Sequence, residues 1–133
     1  MIGVLRSNWS INTTGKMEMG QSESKKGEMS KREVLENAAK SIGEKLVWSS
    51  DEDLAPRIAG SNEPFNPQAD DAMAFRLQVG NNIELGFMGD GQFATAKLGD
   101  FYELEKVENH DKRAAGRAAI VKVAAERGKS IID

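Results

Sequence analysis

The sequence predicts an α+β fold with an N-terminal helix, a second helix, a two- or three-stranded antiparallel sheet and a C-terminal helix. Apolar residues recur with the helical period after Ser30, and they alternate with the period of a strand after Asn82. A chain of 133 residues has the length of one domain. We therefore expect a single compact domain at residues 29–133.

Residues 1–28 differ from the rest of the chain. They are rich in serine, glycine, asparagine and lysine, and they show no sustained apolar period. This composition is typical of a flexible segment. Met29 directly precedes the strongest helix signal, which makes it a candidate start of translation. We therefore expect residues 1–28 to be a flexible or non-native N-terminal extension.

The first helix begins at Ser30. Ser30 and Glu33 have the spacing of a capping box, in which each side chain accepts a hydrogen bond from the other residue's amide. The apolar residues that follow at helical spacing are Val34, Leu35, Ala38, Ala39, Ile42 and Leu46. The pattern predicts a helix over residues 30–46, followed by a loop that ends near Pro64.

The second helix is predicted from Asn66, which is a suitable N-cap, with Pro67 at the first helical position. Asp70 and Asp71 then fall at the end of the first turn, where negative charge complements the helix dipole. The helix is expected to end at Gly80-Asn81-Asn82.

The sheet follows at once. Ile83, Leu85 and Phe87 alternate with other residues and predict a strand. Asp90-Gly91 is typical of a two-residue hairpin turn, after which residues 92–97 form the second strand. Residues 101–107 alternate less regularly, so the pattern leaves two or three strands open.

The last helix is capped by Asn109, His110 or Asp111 and is expected to run to about Arg127, with Gly128 as its stop. One face carries small or aliphatic residues that suit close packing on a sheet, namely Ala114, Ala118, Val121 and Ala125.

Residue types exclude several kinds of chemistry. The chain has no cysteine, which excludes disulfides and thiolate metal sites and favours a reducing cytoplasm. No apolar run approaches the ~20 residues that span a bilayer, and the first residues lack a secretory pattern. We therefore expect a cytoplasmic protein with no membrane association.

Candidate catalytic residues are also scarce. Adjacent helical residues point about 100° apart, so Asp70 and Asp71 form a poor acid–base pair. A lone His110 is weak support for zinc. No nucleophile, base and orienting group can be assembled from the motifs. We therefore expect no enzymatic activity, no cofactor and no metal.

Charge is distributed unevenly along the chain. Residues 65–110 carry eight acidic and three basic residues, whereas residues 111–133 carry six basic and three acidic ones. The two segments can attract each other, or each can face a partner. The candidate surface for a basic partner protein is acidic and consists of Asp70, Asp71, Asp90, Asp100, Glu103 and Glu105.

The order helix, three strands, helix, with basic residues opening the last helix, resembles the double-stranded RNA-binding domain. In that family the basic residues contact phosphates, and Lys112, Arg113 and Arg117 are the equivalents here. Gly116 stands where the family has a third basic residue, and the preceding strand is acidic. Nucleic-acid binding through this helix is therefore the alternative function.

A second resemblance rests on Phe65-Asn66-Pro67, Asp70-Asp71-Ala72, Phe75-Arg76-Leu77 and the run from Arg117 to Gly128. These motifs resemble a group of small phage and prophage proteins that are loosely similar to the phage NinX proteins. The resemblance covers residues 65–128 and carries no catalytic residues. It implies an accessory protein in the cytoplasm of a bacterial host. Its partner is expected to be a host or phage protein, in a regulatory or anti-defence role, and its oligomeric state is left open.

Overall fold

The computed structural model describes residues 29–51 and 55–131, and the extension predicted at residues 1–28 lies outside these ranges. The described residues form an α+β fold with three helices and two small antiparallel sheets. In chain order the elements are α1 (Lys31–Lys40), β1 (Leu46–Val47), β2 (Arg57–Ile58), α2 (Asp71–Asn81), β3 (Glu84–Met88), β4 (Phe93–Leu98), β5 (Phe101–Lys106) and α3 (Lys112–Ser130).

Helix α1 begins with the predicted capping box. The Ser30 hydroxyl accepts from the Glu33 amide at 3.1 Å, and the Glu33 carboxylate accepts from the Ser30 amide at 2.9 Å. The helix ends at Lys40, six residues before the predicted end at Leu46. Leu46 belongs instead to β1, where it pairs with Ile58 of β2. Ile58 lies in the segment that was expected to be a loop.

The start of α2 differs from the prediction. Asp70 is the N-cap, and its carboxylate accepts from the Ala72 amide at 3.0 Å. Asn66 instead begins a turn, in which its carbonyl accepts from the Ala69 amide at 3.0 Å. Phe65 and Pro67 are buried, and this burial holds residues 65–69 in a turn before the helix can begin. The helix ends as predicted, with Asn82 in the left-handed conformation at φ 59°.

The larger sheet has the order β3-β4-β5, so the third strand is present. Met88 pairs with Phe93, which makes the first hairpin loop four residues long rather than two. Its Asp90 and Gly91 both have positive φ. The two-residue turn occurs in the next hairpin, at Gly99 and Asp100, because Leu98 pairs with Phe101.

Helix α3 is the centre of the fold, and it packs against α1, α2, β4 and β5. Asp111 is its N-cap, accepting from the Ala114 amide at 3.0 Å. The helix does not stop at Gly128 but continues to Ser130. A Cβ at residue 128 would overlap the carbonyl group of Asn37 in α1. Gly128 is therefore a point of close approach between two helices rather than a terminator.

One face of the sheet packs on α3, and Ala94 and Ala96 of β4 are completely buried there. Tyr102 and Leu104 of β5 lie on the opposite face and are exposed. Among the described residues no helix is both long and apolar enough to cross a membrane.

Candidate functional site: an apolar groove with a cationic rim

A groove of about 360 Å³ opens between α2, β3 and the first half of α3. This volume lies at the lower end of the range of ligand-binding clefts. Its apolar lining comes from three elements and consists of Ala74, Phe75, Leu85, Phe87, Gly116 and Ile120. Its polar lining consists of Asp71, Gln78, Lys112, Arg113 and Arg117.

The register of the sheet places the β3 side chains in the groove. Leu85 pairs with Ala96 and Phe87 pairs with Ala94. Residues paired across two strands share a face of the sheet, and both alanines are buried on the face that packs against α3. Leu85 and Phe87 therefore project to the same side, toward Gly116 of α3.

Gly116 forms the floor of the groove. A Cβ at this position would lie 3.6 Å from a Leu85 methyl carbon and 3.9 Å from the tip of the Phe87 ring, which are ordinary contact distances. The glycine thus lets Leu85 and Phe87 approach the surface of α3, and a side chain larger than alanine would press against them. Phe75, on the opposite wall, is 62% exposed.

The rim of the groove is organised by Asp71. One carboxylate oxygen accepts from Arg113 at 3.1 Å and the other accepts from Arg117 at 2.6 Å. Arg117 also donates from Nε to the Gln68 carbonyl at 2.8 Å. The hydrogen bond from Arg117 and the positive charge of both arginines lower the pKa of Asp71.

Lys112 completes the rim at the other end of the groove. Its ammonium nitrogen lies 5.9 Å from the centre of the Phe87 ring, within the range of a cation–π contact. Among the residues that the structure describes, the rim therefore holds three cations, Lys112, Arg113 and Arg117, and one anion, Asp71. Its charge balance is positive although the whole chain has a net charge of −3.

The six acidic residues of the predicted surface do not share one face. Asp70 caps α2, and Asp71 pairs with two arginines. Asp90 and Asp100 lie in turns at opposite ends of the sheet. Glu103 and Glu105 pair with Ala96 and Ala94, and therefore face α3.

Two of these acids interact with α3 directly. Glu105 forms an ion pair with Lys122, so the acidic middle and the basic end of the chain do attract each other. Burial raises the pKa of Glu103, and the nearby carboxylates of Glu126 and Glu105 act in the same direction. The charge of Lys122 opposes the shift.

The three basic residues proposed to contact nucleic acid are brought together, because all of them line the groove. Arg117 is largely covered, and its guanidinium is used by Asp71 and Gln68. Arg113 is exposed but also pairs with Asp71. Asp71 thus occupies hydrogen-bonding groups of two of the three basic residues.

His110 lies in a separate polar cleft beyond the hairpin of β3 and β4, together with Asp90, Lys106 and Lys112. Within residues 29–51 and 55–131, no group of three or more histidine, aspartate or glutamate side chains is arranged to hold a metal ion.

Phe75, Leu85, Phe87 and Gly116 were not identified as site residues from the sequence, because an apolar residue in a regular pattern is normally assigned to the core. One signal was available in α2. Its apolar residues extend over more than one stripe, and Phe75 and Val79 both remain exposed in the fold. A helix with more apolar surface than its packing uses has a second apolar contact to make.

Comparisons with models of protein families, with curated proteins and with solved structures found no match. The resemblance to small phage proteins therefore rests on the residue pattern alone.

Proposed function

We propose that this protein is a non-enzymatic accessory protein of the phage type, and that it binds a partner protein of the host or the phage through the groove. The setting, a bacterial cytoplasm, follows the sequence resemblance. The binding role is supported by one observation. Within residues 29–51 and 55–131, an apolar groove with a positive rim stays open beside an α+β core of buried residues.

The composition of the groove favours association. Phe75, Leu85 and Phe87 are large apolar side chains that stay exposed in the fold, and all three line this groove. Exposed apolar clusters with a polar rim are typical of binding sites, because their burial against a partner releases ordered water. Aromatic and arginine side chains are also the types that contribute most to protein interfaces.

The groups in the groove offer little for catalysis. Both oxygens of the Asp71 carboxylate accept from arginines, and the low pKa of Asp71 makes it a weak base. The Gln78 amide donates to the Ile83 carbonyl at 3.3 Å. The remaining lining residues are apolar or are cations, and the charged groups of these cations have no lone pair with which to accept a proton from a substrate.

The test is affinity capture from a bacterial lysate with three forms of the protein. Phe75→Asp places a charge on the wall of the groove, and Val47→Asp places the same charge on a distant apolar residue of similar exposure, 58% against 62%. We expect the same partner with the wild-type chain and Val47→Asp, and its loss with Phe75→Asp. A partner retained equally by all three forms would show that the groove is not the binding site.

The nucleic-acid alternative is tested separately on duplex RNA and DNA at low salt, where phosphate contacts are strongest. We expect no retention that depends on Lys112 and Arg113. Retention that is lost in the double variant Lys112→Glu, Arg113→Glu would favour the alternative over the proposed function.

A further inference from the structure

The two edges of the larger sheet are protected to different degrees. Exposed strand edges pair readily with other chains, and proteins block them with charged side chains, including charges that point inward. The β5 edge follows this rule, since Glu103 and Glu105 both point toward α3. Among the described residues β3 pairs only with β4, and after Glu84 it carries Leu85, Gly86, Phe87 and Met88 in succession. Its pairing groups are thus accompanied by apolar side chains.

The groove lies directly beside this free edge. Leu85 and Phe87 form one wall, and α2 forms the other through Ala74 and Phe75. A strand added to β3 would direct every second side chain toward the helical layer, where Ala74, Phe75 and Ile120 line the groove. The free backbone edge and the apolar groove therefore suit the same occupant.

The rim adds a requirement of charge. Lys112 and Arg113 are both exposed at the rim of the groove, and among the described residues Asp71 is the only acidic one that lines it. An acidic side chain on the occupant would complement this excess positive charge, whereas a basic one would be repelled.

We propose that the groove and the β3 edge together bind an extended peptide segment of the partner protein, which adds to the sheet as a fourth strand. Its inward residues are apolar and at least one acidic residue lies beside Lys112 and Arg113. The proposal rests on the proposed function, and it specifies the chemistry and the conformation of the bound segment.

A second copy of this chain fits the edge less well. Two β3 strands that pair around a two-fold axis carry their helical layers on the same face of the joined sheet. Each copy would then bring its own α2 toward the α2 that already flanks the groove. An extended peptide segment carries no helical layer, so it can pair with β3 without bringing a second helix toward α2.

The experiment selects peptides from a random library displayed on phage, with the full chain as bait. We expect the enriched sequences to alternate apolar with polar residues and to include aspartate or glutamate. The affinity of the best peptide should fall about tenfold or more with Phe87→Asp. The affinity should remain unchanged with Leu104→Asp, because Leu104 lies on the open face of the sheet, away from the groove. Leu104 is the matched control, since Phe87 and Leu104 are both 45% exposed.

Amide hydrogen exchange of the full chain with the best peptide then reports the conformation. Strand addition slows exchange of the outward-facing amides of β3, which should exchange freely in the chain alone. Peptides with helical spacing that depend on Phe87 but leave these amides unprotected would overturn strand addition and leave the groove as the binding site.

Other results would also overturn the proposal. They are the absence of any enriched peptide that depends on Phe87, enrichment of basic sequences, or β3 amides already protected in the chain alone. A concentration-dependent dimer that is lost with Phe87→Asp would assign the edge to a second copy. The proposed function itself fails only if partner capture is also indifferent to Phe75→Asp.

Discussion

Arg127 donates a hydrogen bond to the side-chain oxygen of Asn81 at 2.7 Å, and this contact joins the ends of the three helices. Arg127 also donates to the Ser41 carbonyl, just after α1, at 3.0 Å. The Asn81 amide in turn donates to the Ser41 hydroxyl at 2.9 Å and to the Leu77 carbonyl at 3.0 Å. Asn81 and Ser41 are buried, so their polar groups form hydrogen bonds with each other and with Arg127 in place of hydrogen bonds to water.

Asn81→Leu should lower the free energy of unfolding by about 2 kcal/mol, because it leaves the buried hydroxyl of Ser41 and the partly buried guanidinium of Arg127 with fewer partners. Urea denaturation measures the change. Asn82→Gly, at the next position, is the control. Its left-handed backbone suits glycine, so the change should stay within about 0.5 kcal/mol. An unchanged midpoint for Asn81→Leu would contradict the assigned role.

The N-cap of α2 can be tested by comparing two alanine variants. Asp70→Ala should cost about 1 kcal/mol of stability, because the Ala72 amide loses its acceptor. Asn66→Ala should change stability by less than about 0.5 kcal/mol, since the turn uses the Asn66 carbonyl, which the variant keeps. The opposite order of effects, measured by thermal denaturation, would restore Asn66 as the cap.

Two glycines of α3 should respond oppositely to alanine. Gly128→Ala should destabilise the fold by about 3 kcal/mol, because the new methyl group overlaps the Asn37 carbonyl and forces α1 away from α3. Gly116→Ala should stabilise it by roughly 0.5–1 kcal/mol, because the methyl group makes ordinary contacts and alanine favours the helix. Both variants are compared by chemical denaturation, and a similar response at the two positions would be inconsistent with the packing described.

Glu103 should give the stability a dependence on pH. Burial raises the pKa of Glu103 above 4.5 in the folded state, so the folded state binds the proton more tightly than the unfolded state. Its contribution to stability is therefore greatest in acid and decreases as the pH rises through 4.5 toward the folded-state pKa. Glu103→Gln should remove this dependence, with a larger stability gain at about pH 7 than at about pH 3.

Asp71→Asn provides the comparison for Glu103→Gln. The pKa of Asp71 is lowered from 3.8 in the folded state, so its contribution is present at neutral pH and is lost as the pH falls through and below that value. The two variants should therefore flatten opposite trends in curves of stability against pH. If the two substitutions changed the pH dependence of stability in the same direction, the pKa shift assigned to Glu103 or to Asp71 would be wrong.

Much of the fold could be predicted from the sequence because its signals are local. The capping box of Ser30 and Glu33, the end of α2 at Asn82 and the alternation of β3 each depend on residues a few positions apart. The α+β class follows from these elements, whereas the third strand was left open because residues 101–107 alternate less regularly. The errors occurred where a local signal competed with a distant one, as when burial of Phe65 and Pro67 delayed the helix start from Asn66 to Asp70.

The candidate site was far less accessible to sequence reasoning. Asp71 and Arg113 were both singled out, but for different surfaces, and the fold joins them in one ion pair. Phe75 and Phe87 belong to separate elements with separate apolar patterns, and only the placement of α2 beside β3 makes them opposite walls of one groove.

The sequence by itself thus determined the approximate positions of α1, α2 and α3, the hairpin of β3 and β4 and the absence of thiol chemistry, because short-range hydrogen bonding and residue type suffice for these. Tertiary structure alone decided that Gly128 is a helix contact, that Asp71 binds two arginines and that an apolar groove remains open beside β3. These features depend on which surfaces meet, and the free energy of burying one surface on another acts between residues far apart in the chain.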